Sequence, residues 1–183
     1  MEDLLPETIG IAFTVVFLEE LTLYRSHLQR EEELLEQLNS PVRDFAVEAL
    51  RLIRKDEKLF SELDKSKLEG VKWAGADLIK ADLSGALLNE ANLNGAYLLS
   101  TDLSGAYLSG ANLHQADLSG ALLNGALLSF ANLRCSDLRK ADLRGAYLLT
   151  TDLRKARYHS STQWPKDFDP AAAGAILVED DAP

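Results

Sequence analysis

The chain has 183 residues and a net charge of −10, with 19 Lys and Arg against 29 Asp and Glu. Hydrophobic residues make up 46% and charged residues 26%, a composition typical of an ordered chain. The acidic excess argues against a general nucleic-acid binder. A single cysteine, Cys135, excludes an intramolecular disulfide framework, and three scattered histidines leave little for a metal centre. We therefore predict a protein without catalytic activity, cofactor or metal.

Residues 1–65 carry a net charge of −7 and predict a helical extension. The first predicted helix runs from about 6 to 38 and includes ten uncharged residues at 9–18. The second runs from about 41 to 59, after a Ser-Pro pair typical of a helix start. The second half of the first helix has leucines at intervals of seven, a short coiled-coil-like stripe, at Leu21, Leu28 and Leu35.

The uncharged run leaves two interpretations open. A membrane span needs about 20 apolar residues, and the window 4–23 includes three glutamates. The acidic start and the lack of a small-residue cleavage motif argue against a signal peptide. Residues 4–23 either associate with a membrane or pack in a soluble helical assembly. Arg25 and Arg30 come just after the run and favour a cytoplasmic location for the rest of the chain, at the cytoplasmic face if a membrane is involved.

Residues 66–158 repeat with a period of five. Among the eighteen positions at every fifth residue from 68 to 153, seventeen are Leu and one is Trp73. Two residues before each centre, thirteen of sixteen positions from 76 to 151 are Ala. Asp or Asn often precedes the Leu, and Gly often follows two residues later, which is typical of corners with positive φ. This period matches neither an α-helix nor a flat strand.

The pattern Ala-(Asp/Asn)-Leu-x-x resembles the pentapeptide repeat family of bacteria, in particular cyanobacteria. The resemblance implies a mainly β fold, a right-handed quadrilateral β-helix with four pentapeptides in each coil of twenty residues. Eighteen pentapeptides then form about 4.5 coils, a column about 22 Å tall at the usual spacing between strands. The predicted helical extension also resembles that of members whose N-terminal helices sit in a membrane.

A twenty-residue coil assigns each pentapeptide to one of four faces, and two surfaces differ from the rest. One face has apolar residues where the other three have mostly Asp or Asn, which predicts a docking or self-association surface. Its alternative is an outer ladder covered by the chain's own helix. The residues are Leu87, Tyr107, Leu127 and Tyr147, with Phe130 and Leu149 nearby. Residues 134–158 have a net charge of +4 and predict a basic girdle for an anionic partner, formed by Arg134, Arg139, Arg144 and Arg154.

The segment 159–183 is predicted to cap the open end of the column. Its aromatic residues Trp164 and Phe168 are the candidates for covering the last coil, because an exposed end presents unpaired backbone groups. The pattern is expected to break at Thr162. An acidic, disordered end is expected after residue 178.

The sequence thus predicts a structural or protein-interaction module, a rigid β-helix tethered or oligomerised by its N-terminal helices. The expected partner is an unidentified protein or a second copy, with no specific nucleic acid. The alternative is a DNA mimic that inhibits a DNA-binding protein such as gyrase, as some family members do. We disfavour it because residues 66–158 have a net charge of only +1, whereas a mimic needs acid along the rod.

Overall fold

The computed structural model describes Gln29, Glu32, Lys65 and residues 68–179. The chain divides into two compact units, 1–36 and 37–183. Gln29 and Glu32 are helical, but the predicted helices as a whole, the run 4–23 and the last four residues lie outside the described residues. Among the residues described, no helix is long and apolar enough to cross a membrane.

The repeats form a β-helix whose coils are twenty residues long. Fifteen isolated parallel bridges join neighbouring coils, and fourteen of them link residues twenty positions apart, from Lys72↔Asn92 to Asp137↔Arg157. One residue of each pentapeptide forms these bridges, so four pentapeptides complete a coil. The predicted quadrilateral β-helix is therefore confirmed.

A pentapeptide with Asp or Asn at its second position can satisfy all five of its backbone N–H groups, and 91–95 serves as the example. Its second, third and fifth residues donate to carbonyl oxygens of adjacent coils at 2.8 Å each, and its first donates to the preceding pentapeptide at 3.1 Å. The N–H of the fourth residue, Asn94, donates to Oδ1 of Asn92, the second residue, at 3.2 Å. All ten Asp and Asn residues at second positions make this last bond. The preference for Asp or Asn at this position therefore has a backbone cause.

The first and third positions build the core. Every third-position residue from Leu68 to Leu153 is buried except Leu148, which is half-buried in the last full coil. Trp73 takes a Leu position with no exposed surface. The first position tolerates a hydroxyl because a carbonyl oxygen lies within reach: Thr101 donates to Leu78 O at 2.7 Å.

The fifth residue of every pentapeptide has a positive φ. The values from Gly70 to Lys155 lie between +54° and +70°, and nine of these eighteen residues are not glycine. The fourth and fifth residues of each pentapeptide are the two central residues of a type II turn. In this turn type the second central residue lies in the left-handed region. Phe130 and Thr150 adopt it at φ +62° and +56°, although a β-carbon disfavours this conformation.

The C-terminal segment continues the stacking with one inserted residue. Asp142 bridges Gln163, twenty-one positions away. Buried Thr162 donates its hydroxyl to Leu138 O at 2.9 Å, as a first-position residue does. The expected break therefore begins slightly earlier, because the extra residue lies within 159–161 and Thr162 returns to the stacking register. The repeat departs again after Trp164, where the next turn, with a positive φ at Asp167, comes one residue late. Strand β1 (Arg157–Tyr158) pairs in parallel with β2 (Ile176–Leu177).

Candidate interaction surface

The structure places the four predicted face residues in one vertical row, here called the apolar ladder: Leu87, Tyr107, Leu127 and Tyr147. Successive members are joined by parallel bridges, so their side chains stack about 4.8 Å apart. The tyrosines protrude, with 43% and 62% of their surface exposed, whereas the leucines that alternate with them are half-buried. The row therefore alternates projecting and recessed apolar groups.

Phe130 and Leu149 extend the apolar ladder at its upper corner. The N–H of Phe130 donates to Leu149 O at 3.0 Å, which holds the two residues on adjacent coils. Their exposed fractions, 68% and 69%, are the highest among the large apolar residues of the described part. All six predicted face residues thus lie on one side of the β-helix.

Glycines occupy the corner that precedes the apolar ladder in each coil. Nothing lies within 4 Å of a β-carbon built at Gly85, Gly105 or Gly125. Backbone is consequently accessible beside the ladder, and a large side chain of a partner has room there.

The sequence analysis did not single out three further exposed apolar residues, which lie on two other faces of the β-helix. Tyr97, Leu99 and Leu122 are 54%, 38% and 43% exposed. Tyr97 and Leu122 occupy second positions on faces where most other second positions are Asp. This departure from the repeat pattern was the sequence signal that could have identified them. Leu99 also lines a groove of about 340 Å³ with Ser100, Ser119, Gly120, Arg139 and Lys140.

The predicted basic girdle is largely paired with carboxylates of the same coil. Arg139, Arg144 and Arg154 are fourth-position residues, and each forms an ion pair with the Asp two positions before it, at 2.8, 2.7 and 2.6 Å. Arg157 also pairs with Asp137 across one coil. These ion pairs direct the guanidinium N–H donors towards the protein's own carboxylates. The binding of an anionic partner to the basic girdle stays a prediction.

The same pairs perturb the aspartates. Hydrogen bonding from Arg154, helped by the nearby charge of Arg134, lowers the pKa of Asp152 to about 2. Hydrogen bonding from Arg144 lowers the pKa of Asp142. Burial by itself would raise the pKa of Asp137, but the hydrogen bonds from Arg139 and Arg157 outweigh it and lower the pKa.

The aromatic residues predicted for the end of the column form a cluster there. The Trp164 ring stacks on Phe168 with 5.3 Å between centroids and meets Tyr158 edge-on at 5.6 Å. The hydrogen bond from Leu143 N–H to Gln163 O, at 2.7 Å, places Trp164 at the third position of the next coil.

Sequence reasoning also missed a polar clip at the insertion. His159 Nδ1 lies 2.7 Å from Ser161 Oγ, and Nε2 lies 2.9 Å from a Glu179 carboxylate oxygen. The Ser161 N–H donates to the same Nδ1 at 3.0 Å, so Nδ1 is an acceptor and Nε2–H faces Glu179. These contacts join Glu179, after β2, to the turn that contains His159 and Ser161. His159 and Glu179 are twenty residues apart in the sequence, and no motif links them.

Within the described residues, no group of three or more His, Cys, Asp or Glu side chains is placed to hold a metal ion. What the surface offers chemically is apolar contact, backbone access and paired charges.

A twenty-residue coil with buried Ala and Leu at its first and third positions defines a quadrilateral β-helix built from pentapeptides. The family model of pentapeptide repeats matches residues 61–95, 86–125 and 121–157, which together span more than half of the chain. The chain therefore belongs to the pentapeptide repeat family, as its sequence predicted. Members of this family are protein-interaction scaffolds with a right-handed β-helix.

Solved structures of the same family are similar to this chain. A pentapeptide repeat protein of the Arabidopsis thaliana thylakoid lumen is 29% identical over 55% of this chain and 70% of that chain, with a TM-score of 0.53. A pentapeptide repeat protein (Rfr23) from the cyanobacterium Cyanothece 51142 is 35% identical over 51% of this chain and 59% of that chain, with a TM-score of 0.36. QnrB1, a plasmid-mediated fluoroquinolone resistance protein, is 17% identical over 63% and 87% of the two chains, with a TM-score of 0.30. No curated protein sequence matches significantly.

Proposed function

We propose that this protein is a non-catalytic interaction scaffold whose rigid β-helix presents the apolar ladder to a protein partner. The observation that carries the proposal is the concentration of six apolar side chains on one side of the column, four of them 43–69% exposed. Contiguous exposed apolar surface of this kind is typical of protein–protein contacts. Tyrosine suits such a surface because it adds apolar area with little loss of side-chain entropy.

Photo-crosslinking in cells tests this proposal. A photoreactive amino acid replaces Tyr107 in the full chain, and a matched variant carries it at Asn112, a second-position residue on the neighbouring face. We expect covalent adducts from position 107 and none above background from position 112, with the adduct identified by mass spectrometry. Equal yields from the two positions would contradict a function for the ladder.

The predicted helical extension is the second part of the proposal: residues 1–65 tether the scaffold to a membrane or oligomerise it. Its support is the uncharged run at 9–18 and the leucine stripe that comes after it. Expression of the full chain, followed by salt, carbonate and detergent washes of the membranes, separates the two possibilities. Release by detergent alone identifies residues 4–23 as an anchor, whereas a soluble oligomer identifies a helical assembly.

DNA mimicry is the weaker proposal for this chain. Residues 66–158 have a net charge of +1, and three aspartates of the last coils are paired with arginines. Duplex DNA has one negative charge for about every 1.7 Å of its axis, so a mimic needs unpaired acid along the column.

A further inference from the structure

The apolar ladder has a pattern that fits a second copy of itself in one orientation. From the N-terminal to the C-terminal coil it reads Leu, Tyr, Leu, Tyr, with the leucines recessed and the tyrosines projecting. If two ladders face each other with their columns antiparallel, Leu87 meets Tyr147 and Tyr107 meets Leu127. Each projecting ring then meets a recessed leucine. A parallel pairing would set tyrosine against tyrosine and leave gaps between the leucines.

Charge along the column favours the same orientation. Residues 66–133 have a net charge of −3 and residues 134–158 a net charge of +4. In an antiparallel pair, the acidic coils of each copy lie against the basic coils of the other, whereas a parallel pair sets like charge against like.

The space beside the ladder is compatible with close contact. Gly85, Gly105 and Gly125 form the adjoining corner with open space around their α-carbons. A tyrosine ring from the facing copy therefore meets backbone rather than side chains at that edge.

We propose that two copies of this chain bind face to face through the apolar ladder, with their columns antiparallel about a two-fold axis. Such an interface is isologous and closes at two copies. The inference rests on the proposed function, because it names the partner of the same surface. A face about 22 Å tall offers less area than the roughly 800 Å² per partner of a standard interface, so we expect a weak dimer that forms at high protein concentration.

Position-specific cross-linking of the full chain tests the orientation. In a Cys135→Ser background, one tagged chain carries Asn89→Cys and a second carries Thr150→Cys. Both positions lie at the corner that follows the ladder, three coils or about 14 Å apart in height, so a short bis-maleimide joins them between copies only in the antiparallel pair. The reagent should link the mixed chains 89 to 150, whereas neither chain alone should form a homodimeric link.

Two variants show whether the ladder causes the link. Tyr107→Glu should reduce the 89–150 yield about tenfold or more, and Tyr107→Ser should also reduce it. Tyr97→Glu, at an exposed tyrosine on another face, should leave it unchanged. Circular dichroism confirms that the variants stay folded. The yield should also fall between about 50 and about 500 mM salt, because part of the attraction is electrostatic.

The other outcomes overturn the inference. Links of 89 to 89 and 150 to 150 identify a parallel pair. A lack of links at high protein concentration shows that the ladder is free, covered by residues 1–65 or bound to a different protein. If position 107 still photo-crosslinks to another protein in that case, the proposed function stands and only the second copy is wrong.

Discussion

Asp or Asn at the second position of a pentapeptide caps the turn that follows, because its side-chain oxygen accepts a hydrogen bond from an N–H of that turn. Asp117 Oδ1 accepts the Ser119 N–H at 3.0 Å, which no backbone carbonyl reaches in this turn. Asp117→Ala should lower the free energy of unfolding by about 1 kcal/mol, because the N–H loses its acceptor. Asp117→Asn keeps the acceptor and should cost less than about 0.5 kcal/mol. Urea unfolding measures both, and equal losses would show that charge rather than capping stabilises this position.

The positive φ at each fifth position gives a second prediction, with opposite signs at two sites. Thr150→Gly should raise the free energy of unfolding by about 0.5–1 kcal/mol, because glycine removes the strain of a β-branched residue at φ +56°. Gly125→Ala should lower it by about 1 kcal/mol although nothing lies within 4 Å of the new β-carbon. Thermal unfolding of both variants checks the signs, and a neutral Gly125→Ala would show that the corner tolerates side chains.

The residues that point into the core were predictable from the sequence, whereas the backbone conformation of some corner residues was not. The period of five identified the Leu and Ala positions because burial demands the same small set of residues in every coil. It did not predict that Phe130 or Thr150 would take a left-handed conformation, since both are unfavourable there by themselves. At Phe130, the hydrogen bond from its N–H to Leu149 O on the next coil holds that backbone.

At the scale of the element, the last coil couples its stability to pH through its aspartates. The pKa of Asp152 is lowered to about 2, so its ion pair contributes stability above the unfolded value of about 4. That contribution is lost as pH falls from about 4 to about 2. Because the Arg154 side chain is exposed and solvent screens its charge, this contribution is small. Asp142 and Asp137 act in the same direction, as the pKa of each is also lowered.

Asp152→Asn isolates this effect, because an amide retains the cap on Arg154 N–H, as Asn132 does for Arg134. The variant should be slightly less stable than the wild type at pH 7 and equally stable near pH 2. Urea unfolding across this pH range measures the difference. A gap that stays constant with pH would mean that the ion pair contributes nothing.

The aromatic cluster belongs to the same scale, and we propose that it caps the column. Trp164 packs against Phe168 and Tyr158, while its buried Nε1 has no hydrogen-bond partner in the described part of the chain. Trp164→Ala should cost about 2–3 kcal/mol through lost packing. Trp164→Phe should cost much less, because it retains a ring and removes an unsatisfied donor. Calorimetry separates the two, and a harmless Trp164→Ala would remove the capping role.

The C-terminal segment shows why elements outside the repeat resisted prediction. Trp164 and Phe168 stood out because large aromatics come after a run of leucines. The inserted residue, the clip of His159 with Glu179 and the pairing of β1 with β2 left no periodic signal. Each depends on contacts between residues about twenty positions apart whose types do not repeat.

At the scale of the whole molecule, coils interact only with their neighbours, so a core substitution should matter by its height in the column. Leu108 and Leu148 occupy the same inward row, but Leu108 is fully buried between coils and Leu148 is half-buried in the last full one. Leu108→Ala should cost about 3–5 kcal/mol, because the cavity is enclosed by leucines above and below. Leu148→Ala should cost about 1–2 kcal/mol, since solvent already reaches that site.

Hydrogen exchange distinguishes this behaviour from that of a globular core. In the Leu108→Ala protein, amides of the adjacent coils should lose protection on both sides of the substitution, because neither half of the column retains a complete neighbour there. In the Leu148→Ala protein, the loss should be confined to the last coil and the segment after it. Equal costs at the two positions, with protection lost uniformly, would show that the β-helix unfolds as a single cooperative core. The nearest-neighbour description would then fail for a column of this length.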